Sequence, residues 1–221
     1  MRSRAKAEKP PRRPFELECG RLLAENLLQF SSGSFPEVNL SKLIMWNLIS
    51  LDGFFEGTEP WSLDWFQPLF DDELQQVSLE QLHSAGALVF GRATYEGMAA
   101  YWSSASGQIA DLMNRLPKVV FSRTIDRAEW QNASLVKGDV TAEVRRLKSV
   151  TKGQIFLFGS ADLSATLMRE GLFDEYRLCI VPVVLGNGKP LFGRNTGRLK
   201  LKLLEARPLS SGCVILRYEP L

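Results

Sequence analysis

The chain has 221 residues, of which 45% are hydrophobic, and its 27 Lys and Arg residues nearly balance its 25 Asp and Glu residues. This length and composition suit one globular domain with an appendage and exclude a wholly disordered chain. No stretch approaches the roughly 20 consecutive apolar residues of a membrane-spanning helix, so we expect no membrane partner.

The cysteine and histidine content argues against a metal centre. Cys19, Cys179 and Cys213 are widely separated, and His83 is the only histidine. Zinc sites use clustered Cys and His ligands, so no metal site is predicted. Disulfide frameworks are typical of small secreted chains. We therefore expect reduced thiols in a cytoplasmic protein, with Cys179 buried and inert in its apolar run.

The basic residues are concentrated at the amino terminus. Residues 1–14 carry six bases and one acid, residues 15–40 carry one base and four acids, and residues 41–221 carry 20 of each. We expect 1–14 to be disordered, or to follow from a start codon assigned too early, in preference to a transit peptide. A short helix is predicted at 15–30 and a linker at 31–40. The balanced domain at 41–221 has no net charge to attract nucleic acid.

Strands and helices alternate along the predicted domain, and the last two strands form an antiparallel pair. In chain order the predicted elements are strand 42–51, helix 71–84, strand 87–90, helices 93–101 and 109–116, strands 118–121 and 134–136, helix 140–150, strand 154–158, helix 161–170, and strands 174–184 (interrupted by Pro182), 199–206 and 214–218. This order predicts an α/β fold with a mixed, mostly parallel sheet and antiparallel C-terminal strands. Ligands of such sheets bind at the carboxyl ends of the strands.

Three predicted strands end in small, polar turns that suit phosphate binding. The turns are Gly91-Arg92-Ala93-Thr94, Ser122-Arg123-Thr124 and Gly159-Ser160-Ala161-Asp162. Gly159 would let a ligand approach the backbone. Ser160 is predicted to cap the helix that starts at Ala161 and Asp162, whose free N–H groups favour an anion. An ordinary strand–turn–helix connection explains the third turn without a ligand.

Two of these turns add a guanidinium just past a strand end. Arginine binds phosphate through a planar fork of donors, although a single Arg is more often a surface ion pair. Arg92 and Arg123 beside a Gly-Ser helix start indicate a ligand with several phosphates. A nicotinamide dinucleotide with a 2′-phosphate is a ligand with several phosphates of this kind. The GxGxxG fingerprint is absent, which disfavours an ordinary Rossmann domain.

Asp52 follows the first strand and is the candidate catalytic residue. At that position it would face the same crevice and orient a substrate or deliver a proton. A turn Asp that hydrogen-bonds to its own backbone is the alternative. A set of aromatic residues near the first two strand ends could stack a flat heterocycle or belong to the core or a lid. The set comprises Trp61, Trp65, Phe66, Tyr95, Tyr101 and Trp102.

Five segments resemble one known family. They are SLDGFFEG at 50–57, LVFGRATYEGMAAYW at 88–102, KVVFSRTI at 118–125, IFLFGSADLSATLMREGLFDEYRLCIVPVVLGNGKPLF at 155–192 and SSGCVILRYEP at 210–220. Together they resemble the dihydrofolate-reductase-like family over about residues 42–221. More narrowly, they are similar to the C-terminal reductase domain of bifunctional riboflavin-biosynthesis deaminase/reductases, here in a stand-alone form. The resemblance implies a mixed, mostly parallel sheet flanked by helices.

The resemblance also implies NADPH as the hydride donor and assigns the turns to it. The turn from Gly91 to Thr94 would follow the adenosine and pyrophosphate, and the turn from Ser122 to Thr124 would hold the 2′-phosphate. The turn at 159–162 would meet the pyrophosphate and nicotinamide. Asn47, with Asp52, would line the nicotinamide and substrate.

One departure from the family bears on the substrate. Riboflavin-pathway reductases of this kind carry Glu-Gly-Gly at the third turn, where this chain has Phe158-Gly159-Ser160. We therefore expect an NADPH-dependent reductase acting on a C=N or C=O bond of a different small, pyrimidine- or pterin-like molecule. The alternative is a non-catalytic nucleotide- or pterin-binding module. The resemblance also suggests a homodimer, with the strand at 174–184 as its candidate interface.

Overall fold

The structure is a computed structural model that describes residues 40–193 and 197–221. The strands within these residues are β1 (Leu43–Ser50), β2 (Phe54–Glu56), β3 (Ala85–Gly91), β4 (Lys118–Phe121), β5 (Ala133–Val136), β6 (Gln154–Phe158), β7 (Glu175–Val181), β8 (Lys189–Pro190), β9 (Leu201–Pro208) and β10 (Val214–Pro220). The α-helices are α1 (Asp72–Ser84), α2 (Arg92–Trp102), α3 (Gln108–Arg115), α4 (Val140–Val150) and α5 (Ala161–Arg169). The predictions for the extension at 1–39 lie outside the described residues.

Eight strands form one mixed sheet in the order β5-β4-β3-β6-β1-β7-β10-β9. Neighbouring strands from β5 to β7 are parallel, whereas β10 runs antiparallel to both β7 and β9. The predicted mixed sheet with antiparallel C-terminal strands is therefore confirmed. The carboxyl ends of β1, β3, β4 and β6 lie along one edge of the sheet, called the carboxyl edge below.

The central strand β1 is buried because its side chains alternate between two apolar layers. Ile44 and Trp46 belong to the core layer that includes residues of α1, α2 and α3. Leu43 and Met45 belong to the other layer, with residues of α4 and α5. The near-continuous apolar run that predicted this strand is what a strand covered on both faces requires.

The observed end of β7 differs from the prediction. The strand stops at Val181, because Pro182 has no N–H group to continue the ladder. Both hydrogen-bonding edges of β7 are occupied, one by β1 and the other by β10. The strand therefore cannot extend the sheet into a second copy of the chain, and the homodimer stays a prediction.

A second, two-stranded sheet is absent from the predicted elements. Its strands β2 and β8 pair antiparallel, with Phe54 opposite Pro190 and Glu56 opposite Lys189. These strands are only three and two residues long, and their partners are distant in the chain, so local patterns do not reveal them. The small sheet joins the loop after β1 to the loop after β7.

Two cysteines of the described residues, Cys179 and Cys213, are buried free thiols. This confirms the buried position expected for Cys179. Burial is the main cause that raises the pKa of the Cys179 thiol above its ordinary value. Within residues 40–193 and 197–221, no cluster of three or more His, Cys, Asp or Glu is arranged to bind a metal. No helix in the same residues combines the length and apolar character needed to cross a membrane.

Candidate active site at the carboxyl edge

Two cavities open at the carboxyl edge and share part of their walls. The first, called the apolar cavity, has a volume of about 220 Å³, and its large lining side chains include Trp46, Phe55, Phe66, Met98, Trp102 and Phe158. The second, called the polar cleft, has a volume of about 690 Å³, and its lining includes Glu56, Thr58, Trp61, Thr94, Asn187 and Lys189. Phe55 and Gly159 line both, so ligands that occupied the two cavities would meet there.

The turn between β6 and α5 forms the shared wall. Gly159 and Ser160 both have a left-handed backbone, with φ angles of 53° and 54°. Glycine adopts this conformation without steric cost. A Cβ atom added to Gly159 would lie only 3.1 Å from Oγ1 of Thr94. Position 159 therefore requires glycine both for its backbone conformation and for the close approach of α2.

Ser160 does not cap α5, so that prediction is wrong. Its Oγ accepts a hydrogen bond from the N–H of Gly91 at 3.0 Å and donates one to the carbonyl of Phe158 at 3.0 Å. Its own N–H donates to Oγ1 of Thr94 at 2.9 Å. Ser160 has a left-handed backbone, and its hydroxyl links the end of β3 to the end of β6. Ser160 therefore ties together the ends of two strands and the first turn of α2.

Two helices that begin at this edge, α2 and α5, start without a side-chain cap. In the described part of the chain, no side chain accepts a bond from the first turn of α2, whose N-cap is Gly91, or from that of α5. In contrast, Asp71 caps α1 and Asp139 caps α4, and neither Asp lines one of the two cavities. Exposed N–H groups at a helix start favour an anion. Ala93 and Thr94 of α2 line the polar cleft.

Asn47 lies on β1, where it contacts the third turn. Its Oδ1 accepts a hydrogen bond from the N–H of Gly159 at 2.8 Å, which fixes the orientation of the amide. The side-chain nitrogen Nδ2 is buried and has no partner in the described residues. Asn47 lines the apolar cavity and so offers it a hydrogen-bond donor.

Gln81 is a lining residue of the apolar cavity that the sequence reasoning missed. It lies on α1, is 5% exposed, and its Nε2 also has no partner among the described residues. Its Oε1 lies 3.5 Å from a guanidinium nitrogen of Arg177. A signal was present, because Gln81 interrupts the apolar face of α1 that Leu74, Val77 and Leu82 form at helical spacing.

Asp52 lines neither cavity. Its carboxylate accepts hydrogen bonds from the hydroxyl of Ser50 at 2.7 Å and from the N–H groups of Leu185 and Gly186 at 3.1 and 2.8 Å. The bond from Ser50 is the main cause that holds the pKa of Asp52 below its ordinary value. These contacts join the turn after β1 to the loop after β7, so the carboxylate bonds to backbone that is distant in the sequence and not mainly to its own turn. A catalytic role for Asp52 stays a prediction.

The two predicted phosphate-binding arginines have different surroundings. Arg92 pairs with Glu96, with 2.9 Å between the nearest nitrogen and oxygen. Arg123 is exposed and makes no ion pair within residues 40–193 and 197–221. Gly91 is opposite Phe121 in the sheet, so the turns that carry the two arginines begin side by side. Neither side chain lines one of the two cavities.

The remaining predicted cofactor residues lie around the cleft rather than in its lining. Ser122 stabilises its own turn, since its Oγ accepts a bond from the N–H of Thr124 at 3.1 Å. Thr124 lines a separate groove that includes Tyr95. Ala161 and Asp162 form the first turn of α5. The structure therefore brings Asn47, Thr94, Gly91, Gly159 and Ser160 into one hydrogen-bonded group and leaves the second turn apart from it.

The aromatic set divides among the cavities, the core and, for Tyr101, the exposed surface. Phe66 and Trp102 line the apolar cavity, and Trp61 lines the polar cleft. Tyr95 is buried, and its hydroxyl accepts a bond from the N–H of Trp130. The ring of Trp61 lies so close to Gly97 of α2 that a Cβ atom there would overlap it. Trp61 therefore packs the loop after β2 against α2.

The fold and the site define an α/β protein of the dihydrofolate-reductase-like class, as the resemblance implied. The chain belongs to the RibD C-terminal domain family, which it matches over residues 41–215. It is 32% identical over 183 residues to the uncharacterized protein YyaP of Bacillus subtilis (strain 168). The aligned region covers 80% of this chain and 94% of YyaP. The expected likeness to the reductase domain of riboflavin biosynthesis is therefore confirmed at the level of the family.

Two solved structures share this fold. A protein of Shewanella sp. PV-4 named for riboflavin biosynthesis superimposes with a TM-score of 0.68 at 20% identity, over 81% of this chain and 99% of that protein. Dihydrofolate reductase of Enterococcus faecalis superimposes with a TM-score of 0.54 at 14% identity, over 81% of this chain and 96% of the reductase.

Proposed function

We propose that the protein is an NADPH-dependent reductase that acts on a C=O or C=N bond of a small molecule. The observation that carries this proposal is the shared wall, where the apolar cavity and the polar cleft meet at Phe55 and Gly159. A hydride-transfer enzyme has to hold its cofactor and substrate in contact and away from water. Membership of the RibD C-terminal domain family supports an oxidoreductase of the riboflavin-pathway type.

The residues around the polar cleft fit a phosphorylated dinucleotide. The uncapped starts of α2 and α5 offer backbone N–H groups to phosphates. Gly159 leaves space that a Cβ would fill, and the unpaired Arg123 is the candidate for the 2′-phosphate. The Enterococcus faecalis dihydrofolate reductase of the same fold was solved in complex with NADP(H).

The chain's own residues would position the reactants. When bound, NADPH supplies a hydride, which with one proton reduces the C=O or C=N bond by two electrons. Asn47 would donate a hydrogen bond from Nδ2 at the shared wall, while Phe55 and Phe158 exclude bulk water. Because no Asp, Glu, His, Lys, Tyr or Cys of the described residues lines the apolar cavity, we infer that a single water molecule held at the site delivers the proton.

Cofactor titration tests the proposal directly. Isothermal titration calorimetry of the full chain should show binding of NADPH and weaker binding of NADH. Consumption of NADPH in the presence of a panel of ketones, imines, pyrimidines and pterins should then reveal turnover. Absence of NADPH binding would overturn the proposal. Tight NADPH binding without turnover of any panel member would instead support the non-catalytic binding module.

We further propose that the protein works in the cytoplasm as a homodimer, without a nucleic-acid or membrane partner. The dimer is inferred from the resemblance, and the absence of a polyanion partner from the balanced charge of residues 41–221. Light scattering should give twice the chain mass. A monomer at micromolar concentration would contradict the dimer without affecting the proposed reaction.

A further inference from the structure

The lining of the apolar cavity carries no charge. Its polar side chains are Asn47, Ser78 and Gln81, and the hydroxyl of Ser78 already donates to the carbonyl of Leu74 at 2.8 Å. A phosphate, sulfonate or carboxylate enclosed there would lose its hydration with no cation to compensate. The cavity therefore disfavours an anionic ligand.

Two cations that lie beside lining residues do not change this conclusion. Arg177, beside Gln81, pairs with the buried carboxylate of Glu175 at 2.6 Å. Lys189 lies in the polar cleft, where its Nζ is 5.5 Å from the centre of the Phe55 ring. One cation is thus already paired, and the other lies on the cofactor side of the shared wall.

The cavity offers two buried donors that need acceptors. Nδ2 of Asn47 and Nε2 of Gln81 have no partners in the described residues. Their amide oxygens accept hydrogen bonds from N–H groups of Gly159 and Arg177, which leaves the two nitrogens as the groups that still need an acceptor. Buried donors without acceptors are costly, and a carbonyl or imine group would satisfy them.

We propose that the substrate is an uncharged, flat and mostly apolar compound whose carbonyl or imine groups accept hydrogen bonds from Asn47 and Gln81. The aromatic walls at Trp46, Phe66 and Phe158 suit a flat ring. This inference rests on the proposed reductase and narrows its substrate to a neutral class. Compounds with an acidic group on the part that the cavity encloses are excluded.

A matched pair of probes tests the charge requirement. Isatin is a flat, neutral dicarbonyl compound, and isatin-5-sulfonate carries a permanent negative charge on the same ring. Calorimetry on the full chain, with and without saturating NADP⁺, should show that isatin binds at least about tenfold more tightly. Equal affinity, or tighter binding of the sulfonate, would overturn the proposal. So would failure of both isatin and a second neutral probe, α-tetralone, to bind.

The titration without NADP⁺ separates this proposal from the proposed function. If NADPH fails to bind while isatin is preferred over its sulfonate, the reductase proposal fails and the charge preference of the cavity remains. If NADPH binds and the sulfonate is preferred, the substrate class is wrong and the reductase proposal remains.

Two variants test the residues. Gln81→Met removes the donor while keeping the side-chain length, and should weaken isatin binding about fivefold to tenfold with an unchanged or higher Tm. Gln75→Met, at an exposed position of the same helix, should change neither quantity. Leu63→Arg would add a cation to the lining and should reverse the preference toward the sulfonate. An unchanged isatin affinity in Gln81→Met, or an unchanged preference in folded Leu63→Arg, would contradict the proposal.

Discussion

The apolar cavity and the polar cleft lie at the same edge of one sheet, yet they are built from different groups. Most of the large side chains that line the cavity come from β1, β6, α1, α2 and α3, and β2 and the loop after it add Phe55, Leu63, Phe66 and Phe70. The cleft is lined by loops, by the small sheet and by the first turn of α2. The two cavities therefore differ in the size and apolar character of their side chains more than in the kind of element that supplies them. This difference suits two unlike ligands, an apolar one in the cavity and an anionic one near the backbone N–H groups at the start of α2.

The largest effect is expected where the two cavities meet. Gly159→Ala introduces a Cβ at a left-handed residue, 3.1 Å from Oγ1 of Thr94, so the strain and the displaced helix should act together. We expect kcat/KM for NADPH-dependent reduction to fall about 100-fold. Steady-state kinetics and NADPH calorimetry would measure this loss.

Gly171→Ala is the matched control for that variant. Gly171 also has a left-handed φ of +60°, but a Cβ there would meet no atom within 4 Å. It should lower stability by about 1–2 kcal/mol through backbone strain and leave NADPH affinity unchanged. Equal losses of cofactor affinity in both variants would show that Gly159 acts only through stability.

The preference for NADPH over NADH is expected to depend on Arg123. Arg123→Ala should weaken NADPH binding about tenfold, because a charge-assisted bond to the 2′-phosphate is lost, and should leave NADH binding unchanged. Calorimetry with both nucleotides measures the difference. Arg127→Ala removes an exposed guanidinium that pairs with Glu129 and should alter neither affinity. Parallel weakening of NADPH and NADH by Arg123→Ala would remove Arg123 from 2′-phosphate recognition.

The wall between the two cavities depends on the Ser160 hydroxyl. Ser160→Ala leaves the N–H of Gly91 without its acceptor, and should lower the free energy of unfolding by about 1–3 kcal/mol in urea titrations. Ser149→Ala removes an exposed hydroxyl bonded to the carbonyl of Arg146 and should change it by less than about 0.5 kcal/mol. Equal stabilities of the two variants would contradict the joining role of Ser160.

The smallest effect is expected at Asp52. Its pKa is held below the ordinary value of 3.8, so it remains ionised between about pH 5 and 8. Any stability that its bonds contribute is present above that ordinary value and is lost only as the pH falls through the lower folded pKa. Asp52→Asn should therefore change kcat/KM by less than about threefold and leave the shape of its pH profile unchanged. Loss of a wild-type inflection in the variant would restore Asp52 as the proton donor.

Strands and helices that pack against the core could be predicted from local sequence patterns. The bounds of β4, β6 and α4 agree with the predicted bounds, because their apolar residues repeat with the period of a strand or helix. β7 ends at Val181, whereas the predicted strand ran to residue 184, because Pro182 ends the strand. The pairing of β2 with β8 was not predictable, since it depends on residues that meet only after the sheet has formed.

The site was predictable in position more than in detail. Glycine and serine after β6 indicated a turn at the carboxyl edge, but not the left-handed backbone of Ser160 or its bond to Gly91. The sequence showed Gln81 only as a polar break in the apolar face of α1, and its place in the cavity lining depends on the packing of α1, which a one-dimensional pattern does not show. The bonds of Ser160 to Gly91 and Thr94 were missed for the same reason, because these partners are distant in the sequence.

A crystal structure of the full chain with NADP⁺ tests the division between the two cavities most directly. We expect the phosphates of NADP⁺ at the starts of α2 and α5 in the polar cleft. We expect the nicotinamide ring against Gly159, at the mouth of the apolar cavity. A dinucleotide bound in the groove between Tyr95 and Trp130, or a nicotinamide ring remote from Gly159, would contradict this division.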